Sequence, residues 1–278
     1  MSIPRLVAVL LLIAAPGSAM AAPGGTQAET TPPGAVAAPS PASVFQVDWV
    51  VDGSITGVSL GLWVLPELFK NSVTPAACRW CSRPEFDGSV HDALAWSETK
   101  PADITSNVLV AVVPLGVGLM DFVAAQAASG ARTGLEDLLI VAEAITTSGV
   151  LTTIVRFTSA RQRPYAYYDH GTGAHEDHLS FWSGHSTAVF AATFAAGYVA
   201  QQRGWGIWPW IYVVGVTGGL AMDYFRLAAD KHWLTDQVAG MAVGVGVGLL
   251  VPWLHRQEAS VDVRVVSGPG GVAVIGQF

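Results

Sequence analysis

Four stretches of this chain carry no Asp, Glu, Lys or Arg over long lengths: Ile104 to Met120 (17 residues), His178 to Gln202 (25), Gly204 to Met222 (19) and Gln237 to His255 (19). A helix rises about 1.5 Å per residue, so each is compatible with a hydrocarbon layer roughly 30 Å thick. A fifth stretch, Leu138 to Ile154, is interrupted only by Glu143; a carboxylate at such depth faces a bundle interior or a polar cavity rather than lipid. The 13 uncharged residues from Gly53 to Leu65, between Asp52 and Glu67, are short for a span and predict an interfacial or half-buried helix. Small residues recur at every fourth position in Ala188, Ala192, Ala196 and Ala200, and again in Gly240, Gly244 and Gly248. Such stripes let backbones approach closely where helices pack in lipid. The expected fold is all-α, a transmembrane multi-helix bundle of about five to six apolar helices. The tail alternates Val261, Val263, Val265, turns at Ser267-Gly268-Pro269-Gly270-Gly271 and resumes at Val272 and Val274, which predicts a short C-terminal β-hairpin. A terminal Phe278 hints at outer-membrane sorting, but one hairpin cannot close a barrel.

Composition sharpens the membrane reading. Of 278 residues 51% are hydrophobic and 13% charged, where soluble domains carry about a quarter charged. The net charge of −7 and the absence of a long Lys/Arg run exclude a nucleic-acid partner. The N-terminus has Arg5, an apolar run Leu6 to Ala15, a Pro-Gly break and Ala19-Met20-Ala21, the form of a secretory signal, predicted over 1–21. Residues 22–43 are Ala, Pro, Gly, Thr and Ser with few large apolar side chains, and read as a disordered linker. Residues 44–103 read as an interfacial or periplasmic segment, 104–256 as the helical core and 257–278 as the tail. Arg132, Arg203 and Arg256 follow alternate apolar segments, which makes their side cytoplasmic. The opposite loops then face the periplasm of a bacterial-type inner membrane.

Three clusters fall on that periplasmic side: Arg156 with Arg163-Pro164, Ser183-Gly184-His185, and Arg226 with His232 and Asp236. Guanidinium forks match tetrahedral oxyanions, and amides at a helix start add donors aimed at an anion. The expected ligand is phosphate-like. His232 and Asp236 are four apart, so on a helix they share a face, and the carboxylate can accept the Nδ1 proton. Nε2 is then free to attack phosphorus, while His185 protonates the departing oxygen. Arginines over the equatorial oxygens stabilise the transition state. Two histidines and a carboxylate can also bind zinc, but three neighbouring arginines repel a cation, so no metal or cofactor is expected there.

The same residues resemble the three signature motifs of the type 2 phosphatidic acid phosphatase superfamily: Arg156-x6-Arg163-Pro164, Ser183-Gly184-His185 and Arg226-x5-His232-x3-Asp236. That superfamily includes membrane lipid phosphatases, soluble class A acid phosphatases and vanadium haloperoxidases. The resemblance covers roughly Leu138 to Leu254. It implies that His232 forms a phosphohistidine, that Asp236 orients it and that His185 is the acid. Arg156, Arg163, Arg226, Ser183 and the Gly184 amide would hold the phosphoryl oxygens. Three positions depart from the family pattern: Arg156 where lysine is usual, Trp182 where proline is usual and Phe225 where serine is usual.

These readings converge on a metal-independent phosphatase acting on a phosphomonoester or pyrophosphate of a lipid-like substrate, with membrane lipids as its surroundings. The alternatives are a periplasmic acid phosphatase on small soluble esters, a vanadate-dependent haloperoxidase, and an inactive lipid-phosphate-binding membrane protein. Cys78 and Cys81, with His91 nearby, could be a redox pair, half a zinc site or a disulfide, the last being the default in an oxidising compartment. His170, His175 and His178 lie among Asp169, Glu176 and Asp177 and read as a solvated polar loop or as the lining of an entrance. Arg161 and Lys231 read as structural or field-setting rather than as phosphate ligands.

Overall fold

The computed structural model describes residues 43–168, 171, 173–257, 263–268 and 271–276. The segments expected to be a signal (1–21) and a linker (to residue 42), with Asp169, His170, Val261 and Phe278, lie outside the described residues, as does the side chain of His175.

The helices are α1 (Val51–Leu68), α2 (Lys70–Val73), α3 (Glu85–Leu94), α4 (Thr99–Ser129), α5 (Ala131–Ser159), α6 (Pro164–Tyr167), α7 (Gly184–Arg203), α8 (Trp208–Ala228) and α9 (Leu234–Leu254), with a 3₁₀ turn at His175–His178. Gly130, at φ 94°, divides α4 from α5, because only glycine takes that conformation without strain. Gly204, at φ 77°, ends α7 with its N–H on the carbonyls of Ala200 and Gln201, a left-handed helix stop. The Ser183 hydroxyl caps α7 by accepting from the Ser186 N–H at 3.4 Å, as expected of serine at this position.

Helix α7 lies at the centre and packs against α4, α5, α8 and α9. Ala188, Ala191, Ala192, Ala195, Ala196 and Ala200 are all buried there. The glycine stripe of α9 rides directly on its backbone: a Cβ at Gly240, Gly244 or Gly248 would fall 2.6 Å from the carbonyl oxygens of Ser183, Thr187 and Ala191 respectively. Helices α4, α5 and α9 are long and apolar enough to cross a membrane. Apolar side chains such as Val108, Val112, Leu115 and Leu119 of α4 point outward, a surface suited to lipid rather than water.

Two segments differ from their uncharged stretches. The first residues of the His178–Gln202 stretch are not helical but form the turn that precedes α7. Gly53–Leu65 lies within an 18-residue helix that packs on α5, about 27 Å long at the α-helical rise. The Trp63 ring sits over Gly149, leaving no room for a Cβ there.

Cys78 and Cys81 form a disulfide. The loop they close is pinned to the segment after α5, with the Gln162 N–H donating to the Trp80 carbonyl at 3.0 Å and the Arg79 N–H to the Ala160 carbonyl at 3.1 Å. At the C-terminal end the backbones of Val263–Gly268 and Gly271–Gly276 pair antiparallel.

Candidate active site

The helix ends collect the motif residues at one cavity of about 580 Å³, lined by Arg156, Arg163, Gly184, His185, Arg226 and His232 among others. Arg156 comes from the last turn of α5. Arg163 directly precedes Pro164, the first residue of α6. Gly184 and His185 open α7, Arg226 is in the last turn of α8, and His232 stands two residues before α9. Gly184 is where α7 meets α5: a Cβ there would approach Thr152 at 3.3 Å and the Arg156 guanidinium at 4.0 Å.

Asp236 is the third residue of α9 and accepts the Trp233 N–H at 3.0 Å, which satisfies a donor left free at the helix start. The same carboxylate accepts from the Ser180 hydroxyl and from Arg161. Its Oδ2 lies 3.5 Å from His232 Nδ1, so the expected pair is adjacent but not closed into a hydrogen bond. His232 Nε2 faces the site, 3.5 Å from Arg163 Nη1. Burial first, then the charges of Arg163, Arg226 and Arg156, push the His232 pKa well below the ordinary histidine range. The imidazole is therefore held neutral, the form that can act as a nucleophile.

The arginines are anchored rather than loose. Arg163 donates to the carbonyls of Glu176 at 2.9 Å and Lys231 at 2.8 Å. Arg226 pairs with Asp103 at 2.8 Å and Arg156 with Glu67 at 2.6 Å. Each guanidinium has several donors, so one oxyanion can be gripped while part of the anchor stays. His185 Nε2 is 2.8 Å from the Asn107 Oδ1 amide oxygen. Ser183 is fully buried and its N–H donates to the Asp236 carbonyl at 3.0 Å. It thus ties the start of α7 to the start of α9 as well as capping the helix.

Sequence reasoning missed the cavity's carboxylates and amide: Glu67 on α1, Asp103 and Asn107 on α4, and Glu176. Glu176 belongs to the loop read as solvated or as an entrance lining; it pairs with Lys70 at 2.7 Å, and that hydrogen bond lowers its pKa. Arg161 is the other residue whose role no spacing signals. It is 0% exposed and bridges Asp236 to Asp87 of α3, with the Trp80 ring 4.1 Å from its guanidinium carbon. Thr235 closes the network, its N–H donating to Asp87 at 3.0 Å. Lys231 lies 3.9 Å from Asp103 and over the Tyr165 ring.

The departures from the motif pattern also find places. Trp182 donates its indole N–H to the Thr152 hydroxyl at 2.8 Å. Phe225 packs with Ala102, Ala228 and Ala229 and meets Trp96 edge-on, so the position adds packing and no hydrogen bond to the site.

The family model described as the PAP2 superfamily matches residues 137–259. Over 101 residues the chain is 31% identical to the lipid A 1-phosphatase of Porphyromonas gingivalis, a match that takes in 36% of this chain and only 19% of that protein. A crystal structure of a transmembrane PAP2 type phosphatidylglycerolphosphate phosphatase from Bacillus subtilis aligns with 73% of this chain and 94% of its own, at 16% identity and a TM-score of 0.47. The matched region begins at Asp137 on α5 and runs past the end of α9, so it contains every motif residue gathered at the cavity. Over those residues, fewer than half of the 278, the chain is similar to the PAP2 superfamily.

Proposed function

We propose that the protein is a metal-independent phosphatase that hydrolyses a phosphomonoester or pyrophosphate of a lipid-like substrate through a phosphohistidine. The observation that carries this reading is the single cavity shared by Arg156, Arg163, Arg226, His185 and His232. His232 Nε2 attacks phosphorus and the phosphorus–oxygen ester bond breaks; the departing oxygen takes its proton from the imidazolium form of His185, which burial and the Arg226 charge disfavour and which the charge of the phosphate dianion restores. Water then attacks the phosphohistidine, His185 takes a proton from it, and inorganic phosphate leaves. Arg156, Arg163 and Arg226, with the Gly184 amide at the start of α7, hold the three non-bridging oxygens. Asp236, beside His232 and paired with Arg161, stabilises the imidazolium-like phosphoryl adduct.

The lipid character is supported by the rest of the cavity wall, where Trp63, Val110, Ala111, Pro114, Ile145 and Ala188 form an apolar side next to the basic one. The name of the Porphyromonas gingivalis relative, a lipid A 1-phosphatase, agrees with a lipid phosphate as substrate. The proposed setting is a bacterial inner membrane with the cavity open to the periplasm.

The test is phosphate release by the purified protein with chelator present, from phosphatidic acid, a prenyl pyrophosphate and water-soluble esters in parallel. Turnover of the lipid substrates, and its loss in His232→Ala, is the expected result. Metal-dependent turnover that survives His232→Ala would overturn the mechanism; preference for the soluble esters would overturn the substrate class.

A further inference from the structure

At the far end of α9 from His232, about 30 Å along the helix axis at 1.5 Å per residue, Asp52 of α1, Glu143 of α5 and His255 meet. One ligand-type atom from each lies within 4.8 Å of the other two. His255 Nε2 is 3.6 Å from Asp52 Oδ2 and 3.5 Å from Glu143 Oε2. We infer that these three residues form a binding site for one divalent transition-metal ion, of the zinc, cobalt or manganese class, that ties α1, α5 and α9 together.

Three features point to a cation and to this class. Glu143 is only 8% exposed and its Oε2 has no hydrogen-bond partner, although it is aimed at the cluster. A buried carboxylate oxygen left in this way is costly unless a cation meets it. The His255 ring nitrogen Nδ1 lies 2.9 Å from the Val251 carbonyl and donates to it, which turns Nε2 towards the carboxylates. Metal-bound histidines are oriented by this same bond. Charge balance adds to the case. Two carboxylates with an imidazolium leave a net −1 inside the bundle, whereas two carboxylates, a neutral imidazole and a divalent ion close to zero. Among the described residues neither carboxylate has an ion pair with a lysine or arginine. One nitrogen and two oxygen donors suit zinc, cobalt or manganese better than the all-oxygen shells of calcium or magnesium.

The position suits a staple. The Gln46 N–H donates to the His255 carbonyl at 2.8 Å and the Gln257 N–H to the Val44 carbonyl at 3.1 Å. The residues leading into α1 are therefore already strapped to those leaving α9 at this point. An ion here would fix α1, the helix that brings Glu67 to the cavity, to the bundle. It takes no part in phosphate release.

Full-length protein in detergent is stripped with chelator, dialysed against zinc and assayed for bound metal, with cobalt absorption as a second readout. The expected result is one zinc per chain in the wild type. The same stoichiometry is expected in a His185→Ala/His232→Ala double variant, which removes the cavity histidines. None is expected in Glu143→Gln or His255→Gln. Glu143→Gln should still release phosphate, which shows that it folds, and chelator should lower the Tm of the wild type but not of Glu143→Gln. A wild type that binds no zinc or cobalt, or variants that bind as the wild type does, would overturn the site and leave the triad an ion pair with a protonated histidine.

Discussion

Arg161 has no exposed surface and sits between two carboxylates, Asp87 and Asp236. Replacing it by alanine would leave both facing each other in a low-dielectric interior, a loss expected to cost about 3–5 kcal/mol of stability. Asp87→Asn added to Arg161→Ala should recover part of that loss, because the two sites share one network. Thermal unfolding of the two single variants and the double variant measures the coupling; strict additivity would show that Arg161 acts alone. His232 makes a second prediction at this scale. Its folded pKa is depressed by burial and three guanidinium groups, so below the ordinary histidine value of about 6.5 the unfolded chain binds a proton that the folded chain does not. The stability linked to this residue is present above that value and is lost as pH falls towards the folded one. For the same reason kcat/KM should show no acid limb near pH 6.5 arising from protonation of the proposed nucleophile; a nuclear magnetic resonance titration of His232 centred near 6.5 would contradict this. The motif residues were legible because their spacing is local and chemically specific. Asp87, Glu67, Asp103 and Asn107 were not, because each meets its partner across 74 to 123 residues of chain and nothing local marks an acid that pairs from one that is solvated.

The stripe Gly240, Gly244, Gly248 was read as a close-packing face, and the packing of α9 on α7 gives the reason for it. Gly244→Ala would drive a Cβ against the Thr187 carbonyl and force the helices apart, at about 1–3 kcal/mol. Gly246, two residues on, has open space around its Cβ position, so Gly246→Ala should be neutral or stabilising by up to about 1 kcal/mol. Tm values of the two variants in one detergent test this, and equal shifts would contradict the packing. Hydropathy located the helices but not their ends. α8 runs beyond the last uncharged residue to carry Arg226 in its final turn, because a buried arginine paired with Asp103 does not interrupt a helix. The stretch before α7 ends as a turn for the opposite reason: Leu179, Ser180 and Phe181 spend their backbone groups on Glu176, Arg161 and Ser159 rather than on a helix ladder.

For the molecule as a whole, length and apolar periodicity were enough to anticipate a helical bundle with an outward apolar surface, since lipid and packing impose those patterns on every turn. They were silent on the order of packing. That α7 is the central helix follows from its small side chains meeting four neighbours, which depends on the other helices and not on α7 alone. They were equally silent on the disulfide loop and α3, whose Trp80 and Asp87 reach the Arg161 network that supports the cavity end of the bundle. The bundle thus brings cations from three helix ends and two imidazoles to one cavity, and the central claim is that His232 becomes covalently phosphorylated there. The most direct measurement is rapid acid-free quenching of the protein with phosphorus-32-labelled phosphatidic acid, followed by peptide mapping. The label should appear as acid-labile phosphohistidine at His232 and be absent from His232→Ala. Turnover at full rate with no labelled histidine at any quench time would contradict the account.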